Sequence, residues 1–318
     1  MSITGEKKKK VWITGGRGMV GRNLIENKAS ENYDLLYPDS RELDLTKMNE
    51  IKQWLKINKP DVVIHSAAKV GGIHANIAEP TSFLLTNLKI NINVIEASYK
   101  SKIKYLLNLG SSCMYPRYAD NPLKEKSILT GELEPTNEGY ALAKICADRL
   151  CKYLSTEDNT IFFKTLIPSN LYGKYDSFSP QRSHLIPSII VKLHNAIINN
   201  LDSVEIWGDG SVRREFMYSG DLADAIWFCL ENIEKIPNTL NIGCGKDYSI
   251  LEFYKIASKV INFKGTFKFD KNKPQGMKRK MVDSDKINAL GWESKTSLEE
   301  GLKKTFEFYT KEYKKTKF

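Results

Sequence analysis

Long apolar runs are missing from this sequence, and with them any segment able to cross a bilayer as a helix. The stretch Met1 to Lys10 is polar and lysine-rich, without the apolar centre of a secretion leader, so a cytoplasmic protein is expected. Cysteine is scarce: five in 318 residues, with no CxxC pair and no His/Cys spacing suited to zinc. An odd number of cysteines argues against a disulfide framework, so reduced thiols and no metal site are expected. Internal repeats are absent, and low complexity is confined to short lysine runs, which excludes a solenoid.

What is present is the composition of a packed domain. Hydrophobic residues make up 41% and charged residues 27%, with aromatics along the whole length, and this excludes disorder. The length suffices for one large core or two modest ones. Forty-eight basic against 38 acidic side chains give a net charge of +10, which attracts anions such as nucleotide phosphates. Much of that charge sits in Lys7–Lys10 and in the region Lys303–Lys317, where solvated tails are the expectation rather than a surface for nucleic acid or membrane.

Short apolar runs alternate with helical patterns in the first half of the chain. Val11–Thr14, Asp34–Pro38, Val62–Ala67, Tyr105–Leu109 and Ile161–Ile167 read as strands, which implies an α/β fold with a doubly wound parallel sheet. Beyond Gly173 the rhythm loosens into the Pro/Ser/Gln stretch Ser177–Ser183, a helix from about His184 to Asn199, and a turn at Trp207–Gly210. Leu240–Gly243 reads as one more strand returning to the sheet, followed by helices over Leu251–Ile261 and Leu298–Tyr313. The expected organisation is a dinucleotide-binding (Rossmann) domain over 1–173, with 214–247 returning to it. A smaller α/β substrate lobe takes 174–213 and 248–318.

Directly after the first strand stand Gly15-Gly16-Arg17-Gly18-Met19-Val20-Gly21, opening the first helix. Gly15 permits a tight turn, Gly18 lets the backbone approach a pyrophosphate, Gly21 allows the helix to pack on the strand, and the helix N-terminus faces the anion. At the end of the second strand comes Asp39-Ser40-Arg41-Glu42-Leu43-Asp44. Arg41, helped by Arg17, suits the 2′-phosphate of NADP, whereas Asp39 would favour NAD if it reached the ribose; NADP(H) is the expected cofactor. Asp44 and Leu45 either line the adenine or, in the case of Asp44, cap the next helix.

After the fourth strand the chain reads Leu109-Gly110-Ser111-Ser112-Cys113-Met114-Tyr115, and 25 residues beyond that tyrosine comes Tyr140-Ala141-Leu142-Ala143-Lys144. The YxxxK spacing puts both side chains on one helix face. A neighbouring ammonium is expected to lower the phenol pKa, so that the tyrosine passes a proton to a carbonyl oxygen that a serine hydroxyl holds.

The stretches ITGGRGMVG, HSAAKVGGI, TNLKINxNV, LGSSCMYPR, EGYALAKICADRL, PSNLYG, SHLIPSIIVK and WGDGSVRREF make the sequence resemble the extended short-chain dehydrogenase/reductase family over nearly its whole length. Within that family it is similar to the GDP-L-fucose synthase branch, the GDP-4-keto-6-deoxymannose 3,5-epimerase/4-reductases. LGSSCMYP and SHLIP discriminate, because generic sugar epimerases of the fold lack that Cys and His pairing. The resemblance implies NADPH-dependent C4 reduction of a GDP-linked 4-keto-6-deoxy hexose or heptose, with or without prior epimerisation at C3 and C5, by a homodimer. It implies Ser111, Tyr140 and Lys144 as the reductase triad, and Cys113 and His184 as the acid/base pair of epimerisation. A thiol beside a cation can serve as the base and the histidine as the acid. As a small buried apolar side chain, Cys113 would have no such role; His184 would have none as a helix cap. Ala67, Ala68, Leu109, Gly110, Pro168, Asn170, Leu171 and His184 are implied on the cofactor. Ser112, Asn170, Lys192, Trp207, Arg214 and Lys280 are implied on the substrate. Trp207 is equally readable as core, and Lys192 as merely solvated.

Overall fold

A computed structural model describes residues 7–179, 183–272 and 277–313. Parts of three expected segments, namely 1–6 of the stretch Met1 to Lys10, 180–182 in the Pro/Ser/Gln stretch and 314–317 of the region Lys303–Lys317, lie outside the described residues. So do 273–276 of the expected lobe.

Six parallel strands form the central sheet: β1 (Lys10–Thr14), β2 (Asp34–Leu36), β3 (Val62–His65), β4 (Tyr105–Leu109), β5 (Phe162–Pro168) and β9 (Thr239–Ile242), in the order β2-β1-β3-β4-β5-β9. Its helices are α1 (Met19–Glu26), α2 (Met48–Asn58), α3 (Ile73–Ala78), α4 (Pro80–Lys100), α5 (Glu138–Glu157) and α7 (Ser219–Glu231). Alternation along each strand assigns the faces. Val11, Ile13, Val62, Ile64 and Leu107 pack with Leu24 of α1 and Ile226 and Trp227 of α7. Trp12, Val63 and Leu106 point the other way, against Ile51 of α2, Val94 of α4 and Cys151 of α5. Each of these fully buried aliphatic side chains contributes about 1.5–3 kcal/mol. Since the chain leaves β1 toward β2 on one side and resumes at β3 on the other, the crevice beyond the C-terminal ends of β1 and β3 is the topological switch point, where ligands bind in such sheets.

The remaining elements are β6 (Asn170–Tyr172), α6 (Leu185–Ile198), β7 (Ser203–Trp207), β8 (Arg213–Tyr218), β10 (Asp247–Ser249), α8 (Ile250–Ile261), β11 (Thr266–Asp270), β12 (Arg279–Lys280), α9 (Asp285–Ala289) and α10 (Leu298–Phe308). A second, four-stranded sheet runs β10-β8-β12, with β6 also on β8, and β7 pairs with β11. Ile186, Ile190 and Leu193 of α6, Phe253 of α8 and Leu302 of α10 form the core of this part. In the segment 214–247, β8 thus lies in the second sheet, whereas α7 packs on the first and β9 joins it.

Three expected elements are shorter in the structure. β2 stops at Leu36, before Pro38, which has no N–H for a ladder. β3 stops at His65, because Ser66 Oγ donates to Thr14 O (2.6 Å) and Ala67 N to Thr14 Oγ1 (3.1 Å), which turns the chain back toward β1. The last helix is regular to Phe308 and widens into a π-turn over Tyr309–Tyr313.

Candidate active site

The glycine turn has the geometry its spacing implies. Gly15 takes φ +70°, and a Cβ there would lie 2.9 Å from Ala67 Cα; one at Gly21 would lie 2.3 Å from Gly15 O. Gly18 is the N-cap of α1 and offers no capping side chain, so the first-turn N–H groups are open to an anion.

Beside this turn the buried Asp39 carboxylate gathers two exposed guanidinium groups, Arg17 at 2.6 Å and Arg41 at 2.9 Å. Donation from the Arg41 side chain, then from its backbone N–H, holds the Asp39 pKa down to about 2. The competition between Asp39 and Arg41 seen in the sequence is therefore resolved by an ion pair. The carboxylate orients the arginines and both keep further N–H donors for a phosphate. Replacing Arg41 by alanine is expected to weaken NADPH binding about 10–100-fold, the loss of one charge-assisted bond, with NADH affinity unchanged; equal effects on both, read by fluorescence titration, would contradict this role. Asp44 accepts from Thr46 N (2.9 Å) and Thr46 Oγ1 (2.7 Å), while Lys47 is the N-cap of α2, so Asp44 does not cap that helix. Leu45 O accepts from Asn93 Nδ2 (3.1 Å).

Between β1 and β4 lies a buried chain the sequence reading missed. Thr14 Oγ1 meets His65 Nδ1 at 2.8 Å, His65 Nε2 meets Asn91 Oδ1 at 3.0 Å, and Asn91 Nδ2 donates to Ala143 O at 3.1 Å. That last bond fixes the amide orientation, so His65 carries its proton on Nε2 and accepts from the Thr14 hydroxyl. Burial, reinforced by the Lys144 ammonium, drives the imidazole pKa down to about 3 and keeps it neutral. The period-two pattern of β1 and β3, which pairs Thr14 with His65, was the available signal.

At the end of β4, Lys144 Nζ donates to Leu109 O at 2.6 Å, and its ammonium lies 5.9 Å from the centre of the Tyr140 ring. Ser111 Oγ accepts from Cys113 N (3.3 Å), starting a 3₁₀ turn over Ser112–Met114 in which Ser112 and Cys113 are buried. Gly110 sits close to this turn: a Cβ there would lie 3.0 Å from Met114 Sδ. Cys113 lies within electrostatic reach of Lys280, Lys144 and Tyr140. Two expectations are corrected here. The phenol of Tyr140 is raised above its ordinary range, by burial first and Cys113 second; Lys144, itself lowered to about 8 by burial, does not bring it below that range. The Cys113 thiol has cationic neighbours as expected, yet burial outweighs them and raises it.

His184 is the N-cap of α6, its carbonyl accepting from Ser188 N (3.1 Å), without a side-chain capping bond. Desolvation by surrounding protein lowers its pKa although the residue is exposed, so the neutral imidazole is favoured over the expected acid form. Pro168 closes β5, and Asn170 at the start of β6 donates from Nδ2 to Glu215 O (3.0 Å), with Leu171 following. Ala68 and Leu171 are half-buried beside these turns.

Of the residues expected on the substrate, Arg214 of β8 stands in register with Lys280 of β12. Its guanidinium donates to Arg213 O (2.8 Å) and Met277 O (2.5 Å), and burial lowers its pKa to about 10. Lys280 is likewise lowered by burial. Trp207 is 47% exposed, which excludes a core role. Lys192 is not merely solvated: its Nζ lies 5.4 Å over the indole and 3.3 Å from Glu205 O. His74 packs edge-on to the same indole with centroids 6.4 Å apart, a neighbour the sequence reading did not single out.

Comparison with known proteins adds to this geometry. Residues 11–243 match the family described as "NAD dependent epimerase/dehydratase family". A GDP-L-colitose synthase of Yersinia pseudotuberculosis is 49% identical over 95% of this chain and 98% of its own. A GDP-L-fucose synthase of Azorhizobium caulinodans is 48% identical over 95% of this chain and 97% of its own. Among solved structures, a GDP-mannoheptose C4 reductase from Campylobacter jejuni with NADP bound superposes with a TM-score of 0.87 at 32% identity, covering 96% of this chain and 99% of that one.

Proposed function

The chain belongs to the NAD dependent epimerase/dehydratase family, and on that premise we propose that it reduces the C4 ketone of a GDP-linked 4-keto-6-deoxy sugar with NADPH, after epimerisation at C3 and C5. The observation that carries the reading is the cluster at the end of β4, where Ser111 meets Cys113, and Cys113 lies within electrostatic reach of Tyr140 and Lys144. The residues fit the cofactor: the turn leaves no room for a Cβ at Gly15 or Gly21, and the arginines held by Asp39 suit a 2′-phosphate.

Bound NADPH supplies the hydride that adds to C4. Ser111 holds the ketone oxygen, and Tyr140, kept in its neutral form by burial, gives its proton to that oxygen as negative charge builds there. Lys144, fixed on Leu109 O, faces the phenol and stabilises the phenolate left behind. The same ketone acidifies the hydrogens on C3 and C5, which Cys113 and His184 exchange through an enolate. Arg214, Lys280 and Lys192 take the diphosphate end, and Trp207 offers an exposed ring for stacking. In this reading 1–173 serves the cofactor and the later segments the sugar nucleotide. The enzyme acts in the cytoplasm; no described helix is long and apolar enough to cross a membrane. A homodimer is supported by the exposed apolar side chains Leu85 and Ile92 of α4 and Leu142 and Tyr153 of α5, two helices that lie side by side.

Turnover of GDP-4-keto-6-deoxymannose with NADPH in deuterated water tests the proposal by mass and NMR. Reduced product with solvent deuterium at C3 and C5 is expected. Complete reduction without label would favour a second reading, a reductase-only enzyme acting on another GDP-keto sugar. That reading is supported by the raised Cys113 thiol and by the name of the Campylobacter jejuni relative.

A further inference from the structure

Glu215 of β8 is fully buried, and among the described residues no cation pairs with it. Burial raises its pKa, and three main-chain donors act in the opposite direction. Oε1 accepts from Cys244 N (2.7 Å) and Gly245 N (2.9 Å), and Oε2 from Val282 N (2.8 Å). The position explains why donors are waiting there. β12 runs alongside Arg213 and Arg214, and β6 takes over alongside Phe216, so Glu215 stands where β8 changes partner. Beyond β12 the chain bridges at Val282 to Leu123, and the buried Val282 N–H would be unpaired without Oε2. Gly243 makes room, since a Cβ there would lie 2.6 Å from Oε1 and 2.7 Å from Val282 Cγ2. Both oxygens face donors only, a set that a carboxylate satisfies and an amide does not.

The segment held in this way carries Lys280, two residues before Val282 and beside Arg214 in register. Its other edge is fixed by Asn121 and Leu123: Met281 N donates to Asn121 Oδ1 (2.8 Å) and Leu123 N to Met281 O (2.8 Å). Upstream, Met277 O accepts from Arg214 (2.5 Å) and Lys278 O from Arg213 N (3.0 Å). Release of the Val282 bond would therefore loosen the strand bearing one cation against the strand bearing the other.

We propose that Glu215 is a positioning residue for the diphosphate of the sugar nucleotide: its carboxylate fixes β12 on β8 so that Lys280 and Arg214 present their charges to one anionic group. This rests on the functional reading above and adds to it a residue that touches neither cofactor nor substrate. Glu215→Gln turns one amide NH₂ toward Val282 N–H or toward the Cys244–Gly245 pair. It is expected to raise the KM for the GDP-keto sugar at least tenfold, while the Kd for NADPH changes less than twofold. Lys280→Met is expected to raise the same KM, and the double variant to lose no more than the larger single loss, because Glu215 acts through Lys280. If Glu215→Gln does not fold, Glu215→Asp, which keeps an acceptor-only side chain but falls short by one methylene, is read the same way with a smaller rise. An unchanged sugar KM, an equal loss of NADPH affinity, or multiplying effects in the double variant would each overturn the proposal. Turnover of the sugar by the unsubstituted chain tests the functional reading separately.

Discussion

Tyr140→Phe is expected to lower NADPH-dependent ketone reduction about a thousandfold, near 4 kcal/mol of barrier, while NADPH still binds with unchanged affinity. In the proposed reaction reduction leaves an alkoxide that must be protonated as it forms, and the Tyr140 hydroxyl is the acid assigned to it. Its raised pKa suits this direction of the reaction, since the proton stays on the phenol across the neutral range. The ammonium of Lys144 is the pH-sensitive member: lowered to about 8, it loses its proton as the pH rises through that value. The kcat/KM of reduction should accordingly be level below pH 8 and fall about tenfold per unit above it. Stopped-flow decay of NADPH absorbance measures both effects. A phenylalanine variant within tenfold of the parent rate would mean that the proton comes from elsewhere.

The protonation state of Tyr140 was not legible from the YxxxK spacing, although the placement of both side chains was. A motif of five residues fixes which helix face two groups share, whereas their pKa values depend on burial and on Cys113 of the 3₁₀ turn, which lie outside the motif. The strands of the first sheet were legible because Val62–Ile64 and Leu106–Leu107 are buried on both faces and stand out as apolar runs. In the second sheet β6 and β10 have three residues each and β12 has two, too short to show any period. The glycine turn could be read for the same reason as YxxxK, since its chemistry lies within seven consecutive residues. Asp39 could not, because its part depends on whether its carboxylate meets Arg17 and Arg41 or a ribose, and the sequence allowed both. His65 with Asn91, and Glu215 with Val282, are 26 and 67 residues apart, and only the tertiary fold brings them to hydrogen-bond distance.

The states of Cys113 and His184 carry the second large prediction. Burial raises the thiol and lowers the imidazolium, so at neutral pH the pair stands as S–H and neutral imidazole. The expected roles, thiolate as base and imidazolium as acid, require one proton to move from sulfur to nitrogen. That transfer leaves the total number of bound protons unchanged, so its equilibrium does not vary with pH between the two pKa values. Exchange at C3 and C5 should therefore be flat across the neutral range, while reduction declines above pH 8 with Lys144. Deuterium incorporated per product molecule, where exchange is incomplete, should rise with alkalinity. Cys113→Ser keeps a side chain of similar size in the 3₁₀ turn but replaces the thiol by a hydroxyl too weakly acidic to yield a base there. Exchange should fall at least about a hundredfold, close to 3 kcal/mol, with reduction of an already epimerised GDP-4-keto sugar retained, because Ser111, Tyr140 and Lys144 are untouched. NMR of the product in deuterated water separates the two steps. Loss of both together would mean that Cys113 also holds the ketone in place, and full exchange by the serine variant would remove the thiol from the epimerisation altogether.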